Sequence, residues 1–368
     1  MTCERTQTRT QTQTGTAGTG TGTGTGTGKP MRQLQAPGAQ PPMYFKPLVA
    51  AALLAALAGA PSQAQTQAQD YPTRALQMIV PSTPATTGDQ LARLLGPMLA
   101  QRWKVPVVVD NKAGAGGLIG IDAAAKAAPD GYTLLFSATA FSTLPALKAQ
   151  LPYDPLKSFT PVLLLGSSPL VLAVANGVPA ATVREFIDYV KKQPPGSVNY
   201  ASPGAGSVHH LTMELLKQQT GLTLTHVPDK GTAGALNDLA AGHVQASVVA
   251  LQSSLALVQA GRFRLLAVIG SQRTAQFANV PTLGEAGVPN VVSEAWYGIT
   301  APAGTPPAVI EKLNAEINTL LLLPEVKDAM ARMGVNAAGG KPERLDSLVR
   351  SELLMWKQVV NKGHITAE

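Results

Sequence analysis

From Tyr71 onward, short β-branched runs alternate with longer stretches of helical period, and that alternation leaves few folds open. "ALQMIV" (75–80) is a buried-strand run, and "TGDQLARLLGPMLAQRW" (87–103) follows with Leu91, Leu94, Leu95, Met98 and Leu99 on one helical face. The continuous "VPVVVD" (105–110) has the character of a strand covered on both sides. The pattern then predicts a helix at 117–128, a strand at 131–138 and two strands within "PVLLLGSSPLVLAVAN" (161–176). Further on it predicts helices at 181–192, 207–219, 232–241 and 253–260, interleaved with strands at 198–202, 223–227, 244–250 and 263–269. "YGITAP" (297–302), two helices within 306–333 and a last helix at 342–361 complete the chain.

Strand–helix alternation of this kind implies an α/β fold of mostly parallel sheets flanked by helices on both faces. "GSSPLVLAVANG" and "SEAWYGITAPAG" read as paired long strands, and two such crossings are what a hinge between two lobes requires. The expected division is 70–169 plus 293–368 for one lobe and 170–292 for the other. No internal repeat is evident.

The first 64 residues have a different character. Residues 1–30 are dominated by Thr, Gln and Gly, a composition that cannot bury enough surface to offset the entropy of ordering, so disorder is expected there. Residues 31–64 carry Lys46, an apolar run from Pro47 to Ala60 and the small-residue site Ser62-Gln63-Ala64, the pattern of a secretory leader cleaved near Ala64. Met31 or Met43 then becomes the expected start of translation. The leader also distorts the charge balance. Of 29 basic and 22 acidic residues, five bases and one acid precede residue 65, leaving 29 − 5 = 24 and 22 − 1 = 21, a net of +3. The charges are scattered rather than striped, so nucleic-acid binding loses its support. The single cysteine, Cys3, falls in the discarded part, which removes disulfide and thiolate chemistry and suits export to a bacterial periplasm.

Four strand ends feed small, Gly-rich turns that open a helix: "VPSTPATTGD" (80–89), "DNKAGAGGLIG" (110–120), "ASPGAGSVHH" (201–210) and "DKGTAGAL" (229–236). In open α/β sheets, ligands bind outside the carboxyl ends of the strands. Helix starts there present unpaired N–H groups and a positive dipole end to an anion. Ordinary turn chemistry also favours Gly, Ser and Asp; four such loops in one chain tilt the reading toward binding.

Chemistry is less well provided for. Gly114, Gly116 and Gly120 miss the dinucleotide spacing by one residue, and no phosphate-loop Lys-Ser/Thr follows. Ser207 lies outside a G-x-S-x-G elbow, so a hydrolase built on Ser207 and His210 lacks both the elbow and an evident orienting acid. His209 and His210 are adjacent on a helix rather than at the i, i+4 spacing of a zinc pair. Ser207 reads as the N-cap of the following helix, with its hydroxyl or N–H free to meet a ligand oxygen. No cofactor, metal or catalytic residue is implied.

"YPTRALQMIVPSTPATTGDQLARLLGPML", "VVVDNKAGAGGLIGIDAAAKAAPDGYTLL", "VNYASPGAGSVHHLTMELLK", "HVPDKGTAGALNDLAAGHV" and "AWYGITAPAGTP" resemble, in this order, the Bug family of extracytoplasmic solute receptors. These are the binding components of tripartite tricarboxylate transporters. The resemblance implies a two-lobed periplasmic binding protein of the Venus-flytrap, type II-like kind, monomeric, closing on a small carboxylated molecule. It also implies delivery to membrane permease subunits, one large and one small, with signalling to a membrane sensor kinase as the alternative role. By position, the resemblance places Thr86, Thr87, Gly88 and Asp89 at the ligand. Ser137 and Thr139 follow from the third strand end, then Ser202, Gly204, Gly206, Ser207 and His210, and finally Asp229, Lys230 and Gly231. The chain departs from the family where Ala85-Thr86 stands for Gly-Gly, where Asp229 replaces an aromatic, and where Gln245 and Val249 stand at positions that are commonly acidic. A carboxylate at 229 is expected to repel a purely anionic ligand, or to favour one bearing an amine or hydroxyl.

Overall fold

The computed structural model describes residues 70–366, so the tract at 1–30 and the leader at 31–64 lie outside the described residues. β1 (Leu76–Val80) runs parallel to β2 (Val107–Asn111) on one side and to β3 (Thr133–Ala138) on the other, with Leu76 opposite Val107 and Gln77 opposite Thr133. The crossovers are α1 (Thr87–Trp103) and α2 (Leu118–Ala125). α1 starts where the Thr86 hydroxyl accepts the Asp89 amide, ends at left-handed Lys104, and turns Leu91, Leu95 and Leu99 inward.

Two local readings change. A helix the pattern did not predict, α3 (Ala140–Leu147), follows β3. Its residues Phe141 to Leu144 are all buried and Pro145 lies inside it, so no amphipathic period marks it in the sequence. The run expected to hold two strands is one strand of 17 residues, β4 (Phe159–Ala175). Gly166-Ser167-Ser168-Pro169 carries a turn signal, yet the backbone continues because a partner strand supports it on one side, with Ser167 opposite Trp296 and Pro169 opposite Glu294. Gly166 is needed there for a different reason: a Cβ would come within 2.4 Å of the Asn336 carbonyl oxygen on the strand packed beside it.

The chain then forms α4 (Val183–Lys192), β5 (Asn199–Ser202), α5 (Val208–Thr220), β6 (Thr225–Pro228), α6 (Thr232–Ala241), β7 (Ala246–Ala250), α7 (Leu251–Gln259) and β8 (Phe263–Ile269). It returns through β9 (Glu294–Pro302), α8 (Pro307–Leu322), α9 (Pro324–Arg332), β10 (Asn336–Ala337) and α10 (Pro342–Gly363). β5 lies parallel between β6 and β7. The antiparallel pairings all involve β4 or β9. β9 runs against β3 and against the first part of β4, with Phe159 opposite Pro302. From Leu170 onward β4 instead lies antiparallel between β7 and β8. One long strand is therefore shared by two sheets, each with a parallel ladder and helices about it.

The apolar cores follow the same partition. Met78, Val80, Leu91, Leu134, Phe136 and Ile299 fill one face of the first sheet. Ile79, Leu135, Phe141, Trp296, Leu345 and Val349 fill the other. The second sheet is packed by Val171, Leu172, Phe186, Tyr200, Leu211, Val248 and Val268. α10 serves both sheets: Leu345 and Val349 enter the first core, while Trp356, Val359 and Val360 enter the second. At 22 residues it is about 33 Å long, enough to reach from one to the other.

Candidate functional site

A cavity of about 610 Å³ opens at the carboxyl ends of β1, β2 and β3. Ser82, Thr83 and Ala85 to Gly88 contribute from the loop after β1, and Ala113, Gly114, Gly116 and Gly117 from the loop after β2. Phe136, Ala138 and Ala140 line it from β3 and the start of α3, Tyr297 from β9, and Thr232 from the start of α6 in the second lobe.

Asp89 holds the first loop in shape. It is 3% exposed, and its carboxylate accepts the Ala85 amide (2.9 Å), Arg93 Nε (2.9 Å) and Asn111 Nδ2 (2.9 Å). Asn111 also donates to the Ser82 carbonyl at 3.2 Å, so the ends of β1 and β2 are tied through one side chain. Burial pushes the Asp89 carboxyl up, but the bonds from Arg93, Ala85 and Asn111 outweigh it and hold the group below the usual carboxylate range. Ala85 adopts φ 67°, the left-handed region that costs a residue with a Cβ. The Thr86 hydroxyl is engaged by Ser82 Oγ at 2.8 Å and by the Thr83 carbonyl at 3.1 Å. In the second loop Gly114, Ala115, Gly116 and Gly117 all have positive φ, a curled backbone that lets the chain approach a ligand closely.

The loops at the ends of β5 and β6 form a second cluster. The Asp229 amide donates to the Ser202 carbonyl (2.9 Å) and the Gly231 amide to that of Pro203 (3.0 Å). Ser202 is fully buried; its Oγ donates to the Gly204 carbonyl (3.0 Å) and lies 2.7 Å from His226 Nε2. Ser207 caps α5, but its hydroxyl is occupied, donating to the Gly204 carbonyl (2.8 Å) and accepting the His210 amide (3.3 Å). The expected free hydroxyl is therefore spent on the cap. The Gly206 amide donates to His210 Nδ1 at 3.0 Å, so that nitrogen is an acceptor and a ring proton belongs on Nε2. The His210 ring stacks on His226 (centroids 3.8 Å apart, planes within 8°), with Tyr200 beyond at 4.9 Å from His226. Burial, then His226 and Lys217, lower His210 to about 3, and burial lowers His209 to about 4. Ser207 meets the His210 main chain rather than its ring, so the two make no nucleophile–base pair.

Of the residues expected at the ligand, Thr86, Thr87 and Gly88 line the cavity and Asp89 braces it from behind. Ser137 is fully buried and its Oγ has no partner; it alternates with Phe136 and Ala138, which line the cavity. The Thr139 hydroxyl accepts the Trp296 amide at 3.1 Å. Ser202, Gly204, Gly206, Ser207, His210, Asp229, Lys230 and Gly231 gather in the second cluster. Next to them in sequence, Thr232 is the residue that lines the cavity. Asp229 Oδ2 is shielded without a partner, and burial and then Asp238 push its pKa up. Phe136 and Tyr297 line the cavity without having been named from the sequence, whereas Thr232 and the 113–117 loop fall in turns it had marked.

Residues 91–365 match the tripartite tricarboxylate transporter family receptor. The chain belongs to this family of solute-binding receptors. The receptor is 36% identical to Protein BugT of Bordetella pertussis over 301 residues, which cover 81% of this chain and 92% of BugT. Among solved structures, R. palustris Rpa4515 with adipate shares 33% identity at a TM-score of 0.70, covering 80% of this receptor and 99% of that chain. MatC (Rpa3494) from Rhodopseudomonas palustris with bound malate shares 32% identity at a TM-score of 0.67, covering 79% and 100%. The two-lobed α/β architecture is that of these binding proteins. Among the described residues, no helix of the receptor is long and apolar enough to cross a membrane.

Proposed function

We infer that this receptor works in the periplasm, where its lobes close on a small carboxylate-containing molecule that it delivers to a permease of one large and one small membrane subunit. The observation that carries the reading is the cavity, where three strand ends of one lobe meet Thr232 of the other. Loops held by buried bonds, as Asp89 holds Ala85, keep amides in place for a carboxylate, and relatives that hold adipate and malate support that chemistry. The proposed lobes are 70–169 with 293–368, and 170–292, a division that the change of β4's partners between Pro169 and Leu170 supports. Leader removal near Ala64 and action as a monomer complete the proposal. Closure is a population shift between open and closed forms, driven by the ligand's better contacts in the closed one.

Thermal unfolding with added carboxylic acids tests it. A ligand that binds only the native state at 100 times its Kd adds about 2.7 kcal/mol of stability, which appears as a raised Tm. Adipate and malate are the first acids to try. No shift with any small organic acid, or recovery of the acid in altered form, overturns the proposal.

A further inference from the structure

The inner wall of the cavity is aromatic. Phe136 and Tyr297 both line it, their ring centroids 6.4 Å apart and their planes tilted by 46°. Phe136 belongs with Val80 to the buried core of the first lobe, so the floor of the cavity is the top of that core. Tyr297 is only partly buried, and its side chain is hydrogen-bonded to Thr87. Among the described residues, no carboxylate, ammonium, guanidinium or imidazole lines the space. Of the cations nearest in sequence, Arg93 is committed to Asp89 at 2.9 Å and Lys112 to Asp110 at 3.0 Å, while Lys230, two residues before Thr232, does not line the space.

An ionised carboxylate leaves water only where donors replace its hydration. The amides of Thr87 and Gly88, in the first turn of α1, are among those a helix start leaves without intrahelical partners, and they suit one such group. Additional carboxylates on the same ligand would meet neither a cation nor that donor array. An apolar body, by contrast, gains by leaving water against Phe136, Tyr297, Val80 and Ala138.

We propose that the ligand is a monocarboxylic acid with an apolar, ring-sized body, and that Phe136 and Tyr297 select it over a tricarboxylate. This rests on the receptor reading above and narrows its substrate class.

Calorimetric titration of the full exported protein, freed of co-purified ligand, with benzoate, hexanoate, malate, adipate and citrate at constant ionic strength decides it. Benzoate or hexanoate is expected to bind at least tenfold more tightly than citrate. Tyr297→Thr is expected to weaken that binding about tenfold, and Ala140→Arg, which supplies the missing cation, to move the selectivity about tenfold toward citrate. Citrate binding as tightly as the monoacids, or Tyr297→Thr leaving every affinity unchanged, overturns the proposal and leaves the receptor reading standing. Failure of all five acids to bind overturns both.

Discussion

The indole N–H of Trp296, on the strand that re-enters the first lobe, donates at 2.7 Å to Oε2 of Glu352 on the helix that serves both cores. The same oxygen accepts the Ser142 hydroxyl and, at 3.4 Å, the Trp356 indole N–H. Three elements thus meet on one carboxylate that is 5% exposed. Burial pushes its pKa up, against the pull of the three donors. A folded-state pKa above the unfolded value means that the native state holds the extra proton, so this group's contribution to stability falls as pH rises from about 4.5 through the raised pKa. Urea denaturation at a series of pH values should show that fall, and Glu352→Gln should remove it. Glu352→Ala, which strands the Trp296 and Ser142 donors, should cost roughly 2–4 kcal/mol.

Asp89 has the opposite sign. Its folded-state pKa is depressed below 3.8, so its stabilisation is fully present above that value and is lost as pH falls through the lower, folded one. Asp89→Asn should flatten acid unfolding in that window. Asp89→Ala leaves the Ala85 amide and Asn111 without their acceptor, and should cost roughly 2 kcal/mol while weakening ligand binding.

Ala85 occupies left-handed backbone at φ 67°. Relief of that strain is worth about 1–2 kcal/mol, part of which returns as the greater freedom of glycine in the unfolded chain. Ala85→Gly should therefore raise stability by about 0.5–1 kcal/mol in chemical denaturation. A destabilised Ala85→Gly variant would contradict the strain.

Gly206 sits at φ 74°, and a Cβ there would lie 2.6 Å from Cδ1 of Leu147 at the end of α3. Gly206→Ala should cost about 2 kcal/mol or more, from backbone strain together with displacement of Leu147. In a double-mutant cycle, Leu147→Ala should recover the steric part and leave the strain. Additive effects would show that the two residues do not meet.

The His210 and His209 rings, at about 3 and about 4, should stay neutral from pH 8 down to pH 5. Ring proton shifts followed by NMR over that range should be flat for both. A midpoint near 6.5 for either ring would show that it is solvated rather than buried.

Much of this was legible along the chain, because strand and helix periods are local. The helices at 87–103 and 232–241 and the strand at 263–269 lie where the pattern of apolar residues puts them. Two of the Gly-rich turns, those after β1 and β2, do line the cavity, because the permissive residue is itself at the position that needs it. α3 was silent because it is buried on all sides of its middle turn. β4 was misread because Gly166 to Pro169 carries a turn's composition while β9 holds it extended.

The sequence by itself determined the α/β alternation, the small-residue loops, the N-cap at Ser207 and the family. Only the tertiary structure decided that Ser207 spends its hydroxyl on its own cap, that Asp89 turns inward to Ala85, and that Phe136 faces the cavity while Ser137 does not line it. It also decided that Tyr297, more than two hundred residues after Thr87, shares that cavity with it. Local propensity acts over a few residues, whereas the convergence of loops depends on strand pairings such as Ser137 with Gly298, which form only when the whole core is buried at once.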